Sequence, residues 1–390
     1  MKRFIVLILI LFLTATALSA QPELTLVTVY PGDAIYSAFG HTAFRYVDRD
    51  NKTDILYNFG TFDFRDPDFV PKFVKGQLDY FLGVVKFPWE FKNYTMDENR
   101  TVVEQKLNLN QEEIEQIHAF LTVNALPENR FYKYDFIKDN CSTRIQTVLD
   151  GTLGSDILYD QAAIAKIGER SYRDYIRDHL KKSPWFDFGI QLVLGMPLDQ
   201  KVLPSGSFFL PVLVYEIMTG STLSDGRKLV SGSQTLYLST AVPEKAPIKD
   251  NLPFILFSIL LAVELGFIYL GIIRKKGWVK KTLSCYEYTL VLLNFLAGVL
   301  IFYLWFISDH TATKGNLNIL WCSPLSLIFL ISFFTKNQKV LKCFSLFMTA
   351  MCVLFMLIML VGIQCACSPF IPLLILYTAV FGRRLFPTAS

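Results

Sequence analysis

The hydrophobic rhythm of the chain changes twice. Residues 1–20 hold a basic start (Lys2, Arg3), an apolar run over 5–13, and small residues (Ala15, Ala17, Ser19, Ala20) before Gln21. That order predicts a cleaved export signal. Residues 21–250 mix short alternating stretches with amphipathic ones. From residue 252 apolar blocks dominate, over 252–273, 288–307, 317–334, 344–363 and 369–381. The first four are long enough to cross a bilayer and the fifth is short. The expected organisation is a signal over 1–20, an exported domain over 21–250 and a membrane domain of about five helices over 251–390.

Within 21–250 the pattern predicts both strands and helices, an α+β domain. Pro31-Gly32-Asp33 is a turn. Thr42 to Val47 alternates, a turn falls at 48–51, and Ile55 to Phe59 alternates again, ending at Gly60. This is a β-hairpin with His41 at the mouth of its first strand. Further strands are expected over 81–85 and 100–107. Asn110 with Glu113 three residues on reads as a capping box opening a helix through Leu121. A helix over 142–149, stopped by Gly151, and a charged helix over 169–182 follow. Residues 224–251 read as a loop or short hairpin leading to the first apolar block.

Charge settles the orientation. Basic residues cluster at 274–281, 336–342 and 383–384, whereas the 308–316 loop carries only Lys314. The positive-inside rule then puts 21–250 outside and the C-terminus in the cytoplasm. The net charge of +4 arises largely in those inner loops. It is a topology signal, and no nucleic-acid partner is expected.

Seven cysteines are present, and six (Cys285, Cys322, Cys343, Cys352, Cys365, Cys367) lie in the C-terminal third. Cys141 is alone in the exported domain, without a disulfide partner there. In an oxidising compartment an unpaired cysteine gains little unless it reacts. It opens a helix, whose positive end favours thiolate. A small buried hydrophobe is the competing reading. Among the domain's histidines, His118 and His179 fall on helices expected to be solvated. His41, in an aromatic and weakly charged segment, is the candidate base for Cys141. Asn58 or Asp63 is a candidate to orient its ring. Asn140 is either an oxyanion donor beside the Cys141 amide or a helix cap. No Cys/His metal spacing occurs, and neither a metal nor a cofactor is expected.

A histidine on an early strand followed by an Asn-Cys pair opening a helix resembles the circularly permuted papain-like group, including the lecithin:retinol acyltransferase-like enzymes. A closer resemblance spans nearly the whole chain. Ser37-Ala38-Phe39-Gly40-His41, Asn58-Phe59-Gly60-Thr61-Phe62-Asp63 and Tyr134 to Thr143 are similar to motifs of the Lnb-type lipoprotein N-acyltransferases. So are Leu194 to Asp199, Phe209-Leu210-Pro211, and His310 with Asn316 and Asn318 ahead of Trp321 and Pro324. The resemblance implies a multi-pass protein of the inner membrane with its catalytic domain in the periplasm. It implies an acyl chain taken from a membrane phospholipid onto Cys141 and passed to the α-amine of a diacylglyceryl-cysteine lipoprotein. The partners expected are that donor, that acceptor and the bilayer.

Two other functions stand beside this one. The same Cys-His pair serves a peptidase or amidase acting on cell-wall peptide, and a binding or sensor protein needs no chemistry at all. One span suffices for an anchor, so about five point to a further role. Ser37, His310, Asn316 and Asn318 are candidate substrate contacts. Glu264 falls mid-span, where an ionisable group is costly and faces a partner or cavity. The aromatic patches Trp185, Phe186, Phe188 and Phe208, Phe209, Leu210 either meet lipid or form core.

Overall fold

The computed structural model describes residues 21–240, 252–274, 277–335 and 337–385. The expected signal at 1–20 and the last part of the 224–251 connection lie outside the described residues. The first region is built on one antiparallel sheet in the order β6-β4-β3-β2-β1-β5-β9. Its strands are β1 (Glu23–Val29), β2 (His41–Asp48), β3 (Thr53–Thr61), β4 (Asp79–Lys86), β5 (Val102–Leu107), β6 (Phe131–Lys133) and β9 (Val230–Tyr237). A separate two-stranded pair joins β7 (Ile157–Leu158) to β8 (Thr222–Leu223).

The period-2 pattern sorts the two faces. Leu24, Leu26, Phe44, Tyr46, Tyr57 and Phe59 enter the core under the helices. Val27, Val29, Ala43 and Leu56 pack on the other face against Phe87 and Tyr94. Phe87 opens a short helix, α2 (Phe87–Lys92), and α1 (Phe69–Lys75) lies between β3 and β4. The helical layer comprises α3 (Gln111–Asn124), α4 (Cys141–Thr152), α5 (Gln161–Ile167), α6 (Tyr172–Leu180), α7 (Pro184–Val193) and α8 (Pro211–Gly220). The Asn110–Glu113 capping box forms in both directions.

Three expectations need correction here. Helix α4 runs through Gly151, because Val148, Leu149 and Leu153 are all buried in the core and hold the extra turn. The 230–237 stretch is an edge strand paired with β5; its polar run Ser231 to Gln234 concealed it. The charged helix is not solvated along its length, since Arg173 is fully buried. Phe208, Phe209 and Leu210 belong to the core.

The second region comprises α9 (Leu252–Arg274), α10 (Gly277–Phe306), α11 (Ser326–Thr335), α12 (Gln338–Leu360) and α13 (Phe370–Gly382). Three of these, α9, α10 and α12, are long and apolar enough to cross a membrane. The expected 317–334 helix is instead broken into a 3-10 turn at Leu317–Leu320 and the ten-residue α11. At about 1.5 Å per residue α11 is about 15 Å long. Non-helical backbone inside a bundle needs substitute partners, and buried Asn294 supplies them. Its Nδ2 donates to Trp321 O (3.0 Å) and its Oδ1 accepts from Ser326 Oγ (2.7 Å). Glu264 is fully buried in the bundle. Glu287 binds Arg383 and Arg384, which fastens the end of α13 to the half of α10 nearest the basic 274–281 connection.

Candidate active site

Cys141 is the first residue of α4, and its surroundings follow from the local sequence. Asn140 caps the helix: its Oδ1 accepts from the amides of Ser142 (2.8 Å) and Thr143 (3.1 Å). Its Nδ2 donates to Phe136 O (2.7 Å) and Phe209 O (3.0 Å). Both ends of this side chain are therefore committed, which places it in the capping role and away from the oxyanion. The first-turn amide that the cap does not take is that of Cys141.

His41 opens β2. Gly40 before it has φ +79°, and a Cβ there would lie 2.8 Å from Val29 O, so only glycine makes this entry. The β2–β3 ladder ends at the Phe44–Tyr57 pair. Beyond that point the Thr42 amide faces the Cys141 sulfur closely enough to favour its thiolate. Asn58 lies on the same face of β3, with its Oδ1 3.2 Å from His41 Nε2. The other ring nitrogen, Nδ1, is left for the thiol, and both His41 and Cys141 line the same cavity, where each acts electrostatically on the other. An Nε2–H donating to Asn58 fixes the tautomer whose Nδ1 is the base.

The electrostatics of the pair work in opposite senses. Burial pushes the Cys141 thiol up, but the His41 charge, its hydrogen bond and the Thr42 amide outweigh that and hold it below the ordinary thiol range. Burial likewise disfavours a charged His41, yet the thiolate and the Asn58 bond raise the imidazole above its usual value. Both shifts favour a thiolate–imidazolium pair, the nucleophile form used in thiol catalysis.

The sulfur faces a cavity of about 500 Å³. Phe39, Phe59, Phe62, Tyr80, Tyr134 and Phe136 are among its lining residues, and no Asp, Glu, Lys or Arg is among them. Behind the cavity lining the hydroxyl of Tyr132 is buried with no hydrogen-bond partner among the described residues. The ideal Cβ position of Gly60 lies 3.8 Å from that hydroxyl and 3.9 Å from Cys141 Cβ. The Arg144 guanidinium stacks 4.2 Å over the Tyr132 ring and pairs with Asp139. Sequence reasoning passed over Tyr132 and Thr42. One is an aromatic among many, and the other acts through its backbone.

Two family models match the chain: the Lnb N-terminal periplasmic domain over residues 12–173, and the Lnb transmembrane domain over residues 248–386. The chain belongs to the Lnb family. No curated protein matches it, and no solved structure does. It is a membrane protein with a periplasmic region, an α+β domain followed by a helical one, and its domains fit a lipoprotein-modifying protein.

The remaining motif residues of this Lnb-family chain lie where its two domains meet. Gly195 N–H donates to Ala312 O (2.9 Å) and Met196 N–H to Gly315 O (3.3 Å). A Cβ on Gly195 would sit 1.7 Å from Lys314 O. Arg173 makes a two-point pair with Asp199 (2.7 and 2.9 Å) and donates to Gly195 O (2.9 Å); Asp199 also accepts from the Cys365 amide (2.9 Å). Asn316 and Asn318 donate to Leu192 O (2.8 and 3.1 Å). Asp135 accepts from Thr311 Oγ1. His310 Nε2 lies 2.8 Å from Phe73 O. Lys314 caps the end of α10 through Trp305 O (2.6 Å) and Ser308 O (2.5 Å).

The candidate substrate contacts therefore divide. Asn316 and Asn318 are buried between the domains, away from the cavity lining. His310 touches Phe73, which lines the cavity, but does not line it itself. Ser37 is buried with its hydroxyl on Ala34 O (3.0 Å). Asp63 pairs with exposed Arg65 and makes no contact with His41. His118 stacks on Tyr46 at 3.8 Å, and His179 bonds Tyr175 O at 2.8 Å.

Proposed function

We propose that this chain is a lipoprotein N-acyltransferase of the inner membrane, with its catalytic domain in the periplasm and Cys141 as nucleophile. The carrying observation is that His41 and Cys141, whose charges stabilise each other, line one apolar cavity in a domain fastened to a membrane bundle. The order of a strand histidine before a helix-opening cysteine, on an antiparallel sheet, supports a permuted papain-like ancestry.

In this reading the thiolate attacks the ester carbonyl of a phospholipid. A C–S bond forms, the C–O bond breaks, and His41 gives its proton to the departing alkoxide. The products are an S-acyl enzyme and a lysophospholipid. The α-ammonium of a diacylglyceryl-cysteine gives one proton to water, and the free amine attacks the thioester. The C–N bond forms, neutral His41 takes the second nitrogen proton, and the thiolate leaves. Asn58 is a positioning residue that holds the ring. The Cys141 amide, which the Asn140 cap leaves free, is assigned to the oxyanion.

A cavity lined by aromatic side chains suits an acyl chain better than a cell-wall peptide, whose amides and charges need polar partners. The test supplies vesicles of phospholipid with isotope-labelled acyl chains and a diacylglyceryl-cysteine peptide. A labelled, hydroxylamine-resistant amide on the peptide together with lysophospholipid is expected. Labelled free fatty acid without amide would make the protein a lipid hydrolase, and a cleaved peptide would make it a peptidase.

A further inference from the structure

The mouth of the Cys141 cavity is lined by large apolar side chains that point outward. Ile35 and Tyr36 stand on one lip, 65 % and 67 % exposed. Phe64, Val70 and Phe73 stand on the other, 69 %, 64 % and 49 % exposed. Scattered surface hydrophobes are ordinary, but these five bracket a single opening, and four of them line it. A rim of this kind marks a contact with lipid or another apolar surface.

The position of the second lip decides between those. Helix α1 carries Val70 and Phe73, and its end is held by the loop that leaves α10. The Asp309 amide donates to Lys75 O (2.8 Å), Gln77 Nε2 donates to Asp309 Oδ2 (2.8 Å), and His310 bonds Phe73 O. Asp309 stands three residues past Phe306, where the apolar helix α10 ends. Helix α1 is thus tethered at the level where α10 leaves the hydrocarbon. Aromatic residues concentrate at that level in membrane proteins. Exposed Lys75 has the long stem and cationic head that reach lipid phosphates from it.

We propose that the two lips, Ile35–Tyr36 and residues 64–73, insert into the periplasmic leaflet and form a side portal from the bilayer to Cys141. An acyl chain then passes from leaflet to cavity without crossing water. The occupant is a phospholipid bilayer, not a protein partner. The use made of the portal rests on the acyltransferase reading, whereas the insertion does not.

The test uses the full chain in phosphatidylcholine–phosphatidylglycerol nanodiscs, in a Cys141→Ser background with Cys285, Cys343 and Cys365 also replaced by serine. A bimane label is placed at Val70→Cys, and separately at Tyr36→Cys. The control is Asp50→Cys, in the turn at the far end of β2 from His41. The lip labels are expected to be quenched by lipids carrying a nitroxide near the glycerol and to be shielded from aqueous iodide. The Asp50 label should show the reverse. Should one lip variant fail to fold, the other still reports. Lip labels quenched by iodide and indifferent to nitroxide lipid would overturn the portal. Inserted lips, beside an unlabelled parent chain whose Cys141 never takes up an acyl group in the same nanodiscs, would keep the portal and remove the acyl-transfer reading; an acylated Cys141 in that parent chain with lips in water would do the opposite.

Discussion

Two regions of this molecule hold its motif residues, and they differ in what their polar groups have left to do. In the seam between the domains, Arg173, Asp199, Gly195, Asn316 and Asn318 are matched to protein partners. Around Cys141, the His41 charge holds the thiol down, the nearby Tyr132 hydroxyl has no partner among the described residues, and the cavity beyond is apolar. A buried polar group without a partner costs free energy. A fold that leaves one beside a nucleophile has reserved it for a ligand. A fold that satisfies such groups fully has built a joint.

The sharpest way to break this distinction is to remove the base. His41→Ala is expected to lower single-turnover acylation of Cys141 by about 10²- to 10⁴-fold, the usual worth of acid–base catalysis, with melting temperature little changed. The seam should respond the other way. Asp199→Ala strands the Arg173 guanidinium, whose side chain is 1 % exposed. Breaking a buried pair from one side costs about 3–5 kcal/mol, so thermal unfolding in detergent should fall sharply. Acylation per folded molecule should stay close to that of the parent chain.

Legibility followed the same division. The hairpin, the capping box at Asn110 and the Cys141–His41 pairing are local or chemical signals, readable from alternation, side-chain spacing and the isolation of one thiol. Asn58 was one of two candidates for the ring, and only the register of β3 separates it from Asp63. The seam was not legible as a seam. Arg173 reads as a surface charge on an amphipathic helix until Asp199 and Gly195 arrive from a later turn, and Asn316 and Asn318 read as polar loop residues at a catalytic face. The edge strand at 230–237 and the break after Leu320 depend on partners, β5 and Asn294, that are distant in sequence.

Smaller effects sharpen the comparison. With the thiol shifted down and the imidazole shifted up, the ion pair is gained as pH rises through the thiol and lost as pH rises through the imidazolium. Acylation against pH should therefore be bell-shaped, with apparent values that belong to the pair. Asn58→Ala removes one of the bonds that raise His41, so the alkaline limb should move to lower pH, read from single-turnover rates. His310→Ala should have the least effect, because its bond to Phe73 O is one of several ties holding α1. A few-fold loss or less is expected with vesicle phospholipid, on the scale of one hydrogen bond of about 1 kcal/mol. A loss as deep as that of His41→Ala would move His310 from the joint to the chemistry.

The central claim is that Cys141 carries the acyl chain. The direct measurement is peptide mass spectrometry of the purified chain after incubation with phospholipid vesicles and no acceptor, beside Cys141→Ser. A hydroxylamine-labile acyl mass is expected on the peptide containing Cys141, absent in the variant and matched by lysophospholipid. A folded, monodisperse protein that stays unmodified at Cys141, or acquires the adduct at another cysteine, would contradict it.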